Sequence, residues 1–222
     1  MIYCISDIHG CYDEFMELLK KINFNENDTL YVLGDAIDRG PKSIETLQFI
    51  MQTSNVHFLI GNHEKMMLDY YDGNDIHENW NTRNGADPTK KQLKKMKKEE
   101  VDKILSYLRQ TPFFYKVEVD GQNYRLVHAA VDPELSTVDQ DPDFMVWARE
   151  EFFEKKGSDK FKVIFGHTPT MNWHKKSCQP WEDPVHKDKI CIDGGCAYDG
   201  YLVALCLNDM KVVEVKGPDK EW

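Results

Sequence analysis

Thr29-Leu30-Tyr31-Val32-Leu33-Gly34-Asp35-Ala36-Ile37-Asp38-Arg39-Gly40 joins two kinds of sequence at one point. Thr29 to Leu33 is a short run rich in strand formers. The seven residues after it hold two acids, an arginine and two glycines. Glycine permits the tight turns and close backbone approach that such a loop needs. Upstream, the apolar run Ile2 to Ser6 passes into Asp7-Ile8-His9-Gly10. Downstream, Val56 to Ile60 passes into Gly61-Asn62-His63-Glu64. Between these runs, Tyr12 to Ile22 carries Phe15, Leu18, Leu19 and Ile22 at helical spacing. Ser43 to Met51 reads as a helix behind Pro41, and another helix runs from His63 to about Asp72. The β-α-β-α-β order predicts right-handed crossovers and a sheet with helices packed against it.

Farther out the signals change. Asp72 to Asp87 is polar and reads as loop. Lys90 to Gln110 is charged, with Leu93, Met96, Val101, Ile104, Leu105 and Leu108 spaced for one helix face. It predicts helices that cap the sheet. Tyr115 to Val119 and Tyr124 to Val127 flank Asp120-Gly121 and read as a hairpin. Met145 to Phe153 reads as a helix. Lys162 to Phe165, Ile190 to Ile192, Tyr201 to Leu207 and Lys211 to Val215 read as strands. Two of these later runs also end in imidazole: Tyr124 to Val127 meets His128, and Lys162 to Phe165 meets Gly166-His167.

Sites in α/β sheets form at the carboxyl ends of strands. Five distant segments therefore deliver Asp, His, Asp, Asn, His and His to one edge. Taken singly, Asp7 or Asp35 reads as a helix cap, and Gly61-Asn62-His63-Glu64 as a turn opening a helix. In succession, each behind an apolar run, they point to one metal site. A set of oxygen and imidazole donors suits manganese, iron or zinc better than calcium or a thiolate-bound metal.

Composition narrows the classes. A chain of 222 residues predicts one domain of moderate size. Its formal net charge of -10 disfavours nucleic acid as a partner, because affinity there comes largely from Lys and Arg contacts to phosphate. Bound metal ions would still create a local positive site. Cys4, Cys11, Cys178, Cys191, Cys196 and Cys206 form no C-x-x-C pair, and several lie in apolar runs, so reduced thiols are expected. The amino terminus lacks a basic region followed by an apolar stretch, and no apolar run approaches the roughly 18 residues of a membrane helix. A soluble, cytoplasmic protein without a membrane partner is expected.

Asp7-Ile8-His9-Gly10, Gly34-Asp35-Ala36-Ile37-Asp38-Arg39-Gly40 and Gly61-Asn62-His63-Glu64, in that order, resemble the phosphoprotein phosphatase family of metallophosphoesterases. His128-Ala129-Ala130 and Gly166-His167-Thr168-Pro169-Thr170 match that family's later histidines. The resemblance covers the whole chain and is closest to short bacterial and phage serine/threonine protein phosphatases. It implies an α/β calcineurin-like metallophosphoesterase fold: a central β-sandwich flanked by helices in a single domain, 1–222, with a helical cap-like segment at about 72–110. It implies two divalent metal ions, manganese first, with iron, zinc or nickel also suited. Asp7, His9 and Asp35 would hold the first. Asp35 would bridge to the second, completed by Asn62, His128 and His167. His63 would be the general acid, supported by Asp38. Arg39 would grip phosphate, and Arg149 resembles the family's later phosphate-binding arginine.

Chemistry agrees with those roles. Two metals can clamp a phosphate and activate a shared water for in-line attack, while guanidinium groups meet the charge on the equatorial oxygens. A serine or threonine alkoxide leaves poorly, so a proton from His63 helps. The expected substrate is a phosphorylated protein or peptide, with small phosphoesters accepted in vitro. Two departures, Ala36 where an aromatic residue is common and Ala129 where Gly is usual, remove no ligand.

One alternative is a dinucleoside polyphosphate hydrolase. That group resembles Gly-Asp-x-Val-x-Arg-Gly without an acid at the position of Asp38, and has Asp where this chain has Glu64. A second alternative is a catalytically silent phosphate-binding or scaffold module, against which all six ligand candidates stand. The remaining residues read as ordinary. His57 is packed, and His77, His174 and His186 are solvated. Arg83 is a surface residue, Asp183 a loop residue, and Lys90 to Lys98 a solvent face. Trp173 and Trp181 read as packing or as a substrate rim. Asp193-Gly194-Gly195-Cys196 resembles a family segment near the site and is assigned no role.

Overall fold

The computed structural model describes residues 1–222 except 75–78, 137, 173, 175, 176 and 220–222, so the expectations for His77 and Trp173 lie outside the described residues. Among the described residues, ten strands form two five-stranded mixed sheets. In the first, β1 (Ile2–Ile5), β2 (Thr29–Val32) and β3 (Val56–Phe58) run parallel, β9 (Tyr201–Cys206) adds antiparallel beside β1, and β10 (Val212–Lys216) adds antiparallel beside β9. In the second, β5 (Gln122–Val127), β6 (Lys162–Phe165) and β8 (Lys189–Cys191) run parallel. The edge strands β4 (Phe114–Val119) and β7 (Trp181–Glu182) are antiparallel to their neighbours. The β4–β5 hairpin turns at Asp120-Gly121 with positive φ at both residues, as its sequence predicts.

Strand alternation distributes the core. Cys4, Leu33, Leu126, Ile164, Ile190 and Leu205 pack between the sheets. Ile5, Leu30, Val32 and Ala204 face outward from the first sheet onto α1 (Tyr12–Lys21), α2 (Ser43–Gln52), α3 (Asn62–Tyr71) and α5 (Lys98–Gln110). Val163, Phe165 and Cys191 face outward from the second sheet onto Met145 and Phe152. The amphipathic residues Val101, Ile104, Leu105 and Leu108 of α5 thus close the flank of the first sheet. All six cysteines are free thiols.

Lys90 to Gln110 forms the expected helices as two, α4 (Asp87–Leu93) and α5, with α4 packed on α2 and α5 on α3. The structure differs from the sequence reading in two places. Met145 to Phe153 is divided, into α6 (Pro142–Trp147) and α7 (Glu150–Phe153). Ala148 is extended there (ψ 144°), and Arg149 leaves helical geometry. That break frees the Arg149 guanidinium to donate to Thr168 Oγ1 at 2.8 Å. The polar loop after α3 contains a wide turn, Asn79–Arg83, whose Trp80 is fully buried. Asp183 is a buried loop acid, 3.2 Å from Nζ of the fully buried Lys189.

Candidate metal centre

The carboxyl ends of β1, β2 and β3 in one sheet and of β5 and β6 in the other carry the predicted donors. Asp7 and His9 follow β1, Asp35 follows β2, Asn62 and His63 open α3 after β3, His128 follows β5 and His167 follows β6. Backbone bonds lock these loops together. His9 N–H donates to Asp35 O (2.8 Å), Gly166 N–H to His128 O (2.8 Å), and His167 N–H to Asp7 Oδ2 (3.0 Å). Asp7, His9, Asp35, Asp38, Arg39 and His167 all have φ between 50° and 72°. Non-glycine residues in that left-handed region cost of order 1 kcal/mol or more each. At Gly61 the loops meet so closely that a Cβ would lie 2.2 Å from Asp35 Oδ1.

The donors form two overlapping groups around Asp35. His9 Nε2 lies 3.6 Å from Asp35 Oδ2 and 3.9 Å from Asp7 Oδ1. His128 Nε2 lies 3.4 Å from Asp35 Oδ2, 2.8 Å from Asn62 Oδ1 and 3.2 Å from His167 Nδ1, and His167 Nδ1 is 2.9 Å from Asn62 Oδ1. Every one of these side chains is buried.

Their protonation suits ligands. His9 Nδ1 faces Ile37 O at 2.9 Å and His128 Nδ1 faces Leu33 O at 2.8 Å. A carbonyl partner fixes the proton on Nδ1 and turns the Nε2 lone pair inward. His128 Nε2 and Asn62 Oδ1 then present lone pairs to one another, an arrangement that a cation stabilises. Burial, with the adjacent Arg39 and His63, holds His9 well below the usual imidazole range. Burial, His128 and Arg149 hold His167 down at about 2. Burial alone would raise Asp35, but His128, His63, His9 and His167 outweigh it and keep the carboxylate ionised. Unprotonated His9 and His167 beside an ionised Asp35 are the forms that bind a divalent ion. The buried Nε2 of His167 has no hydrogen-bond partner. The residues present therefore fit two divalent cations sharing Asp35.

His63 also approaches Asp35 (Nε2 to Oδ2, 3.9 Å), but its Nδ1 is held by Asp38 Oδ2 at 2.7 Å. Burial lowers its pKa, yet Asp35 and Asp38 together raise it above the ordinary value. Its Nε2 is buried without a partner. Arg39 reaches His9 Nε2 through Nη1 and lies over the Tyr198 ring at 4.9 Å. Arg39 and Arg149 both line a cavity of about 360 Å³ that opens beside His9 and His167.

Sequence reasoning did not assign the supports of this centre. Glu64 accepts the N–H groups of Asp35 (2.9 Å), Ala36 (2.9 Å), Ile37 (3.3 Å) and Gly61 (3.0 Å). Its third position in α3, behind Gly61, is a capping position that could have revealed it. Trp80 Nε1 and Thr89 Oγ1 donate to Asp38 at 2.8 Å and 2.6 Å. A single Trp in a polar loop was the available signal for the first. Asp193 lines the cavity too, and burial, then Asp7, raise its pKa well above the usual carboxylate value.

A family model described as calcineurin-like phosphoesterase matches residues 1–201. A symmetrical bis(5'-nucleosyl)-tetraphosphatase from Nitrosococcus oceani is 29% identical, with 93% of each chain covered. A second, from Erwinia tasmaniensis, is 35% identical over 60% of this chain, which spans 45% of that relative's length. Serine/threonine-protein phosphatase 2 of Salmonella typhimurium is 30% identical over 75% of this chain and 78% of its own. Among solved structures, one provisionally called a diadenosine tetraphosphatase superposes with a TM-score of 0.72 at 20% identity, covering 99% of this chain and 94% of that one. A cold-active protein tyrosine phosphatase superposes with a TM-score of 0.63 at 18% identity, covering 97% and 75%. These structural likenesses establish the shared fold. With its metal-ligand constellation at the sheet edges and a family match over nearly its whole length, the chain belongs to the calcineurin-like phosphoesterases, a family of metal-dependent hydrolases.

Proposed function

We propose that the chain hydrolyses dinucleoside polyphosphates at a centre of two divalent ions. The observation that carries this reading is the cavity beside the centre. It holds two arginines and an apolar shelf of Pro169, Met171 and Tyr198, which is more surface than a bare phosphate requires. The curated relatives named bis(5'-nucleosyl)-tetraphosphatase support it. Two positions argued against this class in the sequence. Glu64 faces backbone N–H groups and not the cavity, so its identity carries no information about substrate. Asp38 serves Trp80 and Thr89 as well as His63, so a carboxylate there has a structural use too.

Asp7, His9 and Asp35 would hold one ion, and Asp35, Asn62, His128 and His167 would hold the other. Bound ions supply Lewis-acid charge and an activated water. Arg39 and Arg149 bind non-reacting phosphate oxygens through charge-assisted bonds. His63 presents Nε2–H to the leaving oxygen, while Asp38 holds its Nδ1–H and favours the imidazolium.

The His63–Asp38 pair favours a second reading, a serine/threonine protein phosphatase. A nucleotide leaves as a stable phosphate anion and has little need of a proton, whereas an alkoxide does. Relative kcat/KM for diadenosine tetraphosphate and a phosphoserine peptide, on manganese-loaded protein, separates the two. We expect the dinucleotide to be favoured by roughly tenfold or more, about 1.4 kcal/mol in the barrier. A preference for the peptide would replace the first reading with the second.

A further inference from the structure

We infer that Trp147 and Tyr198 form two nucleobase-stacking subsites, one at each end of the metal centre; this rests on the dinucleotide reading above. Tyr198 is 38% exposed and Trp147 36% exposed, although both adjoin the site. The exposed Tyr70 and Tyr71 are accounted for differently, by packing on Trp80 at 5.2 Å and 6.3 Å. Trp147 meets His167 with the two rings perpendicular, their centroids 5.9 Å apart.

A continuous chain of contacts links these two rings through the donor groups. Tyr198 lies under Arg39, and Arg39 touches His9. His9 faces Asp35, which faces His128, which faces His167. His167 then meets Trp147. Each end also has an arginine. Arg39 is at the first, and Arg149, bonded to Thr168 beside His167, is at the second. A guanidinium next to an aromatic ring matches a phosphate next to a base. One such pair suits a mononucleotide. Two pairs flanking a hydrolytic centre suit a ligand with a base at each end of a phosphate chain.

Both residues sit on a defined backbone before any ligand arrives. Tyr198 closes a 3-10 turn, Cys196–Tyr198, between Gly195 (φ 73°) and Asp199 (φ 62°), and its N–H donates to Gly195 O at 2.8 Å. Trp147 ends α6, which Asp141 caps by accepting the Asp143 N–H at 2.9 Å. Val146 and Ala148 on either side of it are buried. Aromatic residues so placed bind without a large ordering cost.

The test compares AMP with ribose 5-phosphate, which lacks only the base, by calorimetric titration of manganese-loaded protein. Wild type is expected to prefer AMP by roughly 5- to 150-fold, the range for stacking one base. Trp147→Ala and Tyr198→Ala should each reduce that preference, and Trp147→Phe and Tyr198→Phe should restore most of it. No preference for AMP in wild type would overturn the inference. So would alanine variants that lose both ligands in equal proportion. A ring-dependent AMP preference without diadenosine tetraphosphate hydrolysis would leave the subsites standing and remove the dinucleotide activity. Hydrolysis with a ring-independent AMP affinity would do the reverse.

Discussion

His63 Nδ1 lies 2.7 Å from Asp38 Oδ2, and both side chains are fully buried. The Asp38 carboxylate is gripped from two further sides by Trp80 and Thr89. The imidazole therefore has one orientation, with Nε2 turned toward the metal centre.

That orientation makes the need for His63 depend on the leaving group. His63→Asn should slow hydrolysis of a phosphoserine peptide far more than that of p-nitrophenyl phosphate, whose phenolate departs unaided. General acids typically contribute ~10²–10⁴-fold, so the gap is measurable in kcat. Asp38→Asn should act in the same direction but more weakly. An equal fractional loss on both substrates, with bound metal unchanged, would assign His63 to positioning.

Asp35 faces both groups of ligands, so its loss should empty both. Chelator treatment should abolish activity, and manganese should restore it. Asp35→Asn should lower bound metal, read by elemental analysis, whereas Asp102→Asn on the exposed face of α5 should not. Equal metal in the two variants would remove the bridging role.

Glu64 holds the loop that carries Asp35. Glu64→Ala would orphan several buried N–H groups at once. Since one buried unsatisfied group costs ~1–3 kcal/mol, unfolding free energy should fall by ~3 kcal/mol or more. Glu64→Gln, which keeps one acceptor oxygen, should lose less. Urea unfolding measures both, and an alanine variant within about 1 kcal/mol of wild type would contradict the assignment.

Away from the centre, Asp183 carries a pH signature. Burial would raise its pKa, but the N–H groups of Val185 and His186, the His186 ring and Lys189 outweigh it and hold the carboxyl at about 2. A folded-state pKa below the unfolded value gives stability that is complete above about pH 4 and disappears as pH falls toward 2. The contribution is roughly 2 kcal/mol. Wild type should therefore lose more stability than Asp183→Asn between about pH 5 and about pH 2.5, by urea unfolding. Parallel losses would show that Asp183 is not the titrating group.

The donors at the strand ends were legible because each combines a local signal, an apolar run, with a residue type that seldom recurs there by accident. Asp7, His9, Asp35, Asn62, His128 and His167 needed only the rule that sites gather at carboxyl ends. Trp80 and Thr89 were not legible in that way. They reach Asp38 across 42 and 51 residues of chain, and no local pattern records such a distance. The interruption at Ala148-Arg149 was hidden too. Its apolar spacing is helical throughout, and the gain that breaks the helix is a contact with Thr168, nineteen residues away.

Asp7, His9, Asp35, Asp38, Arg39 and His167 share left-handed backbone, a region that glycine alone occupies without steric cost. Heat resistance and turnover therefore select different letters at the same six positions. A randomised library sorted only by survival at high temperature should drift toward glycine there, and its survivors should shed their ions. One sorted by turnover should keep the present residues. The genotype of the survivors would then report which pressure had acted, before any of them was assayed.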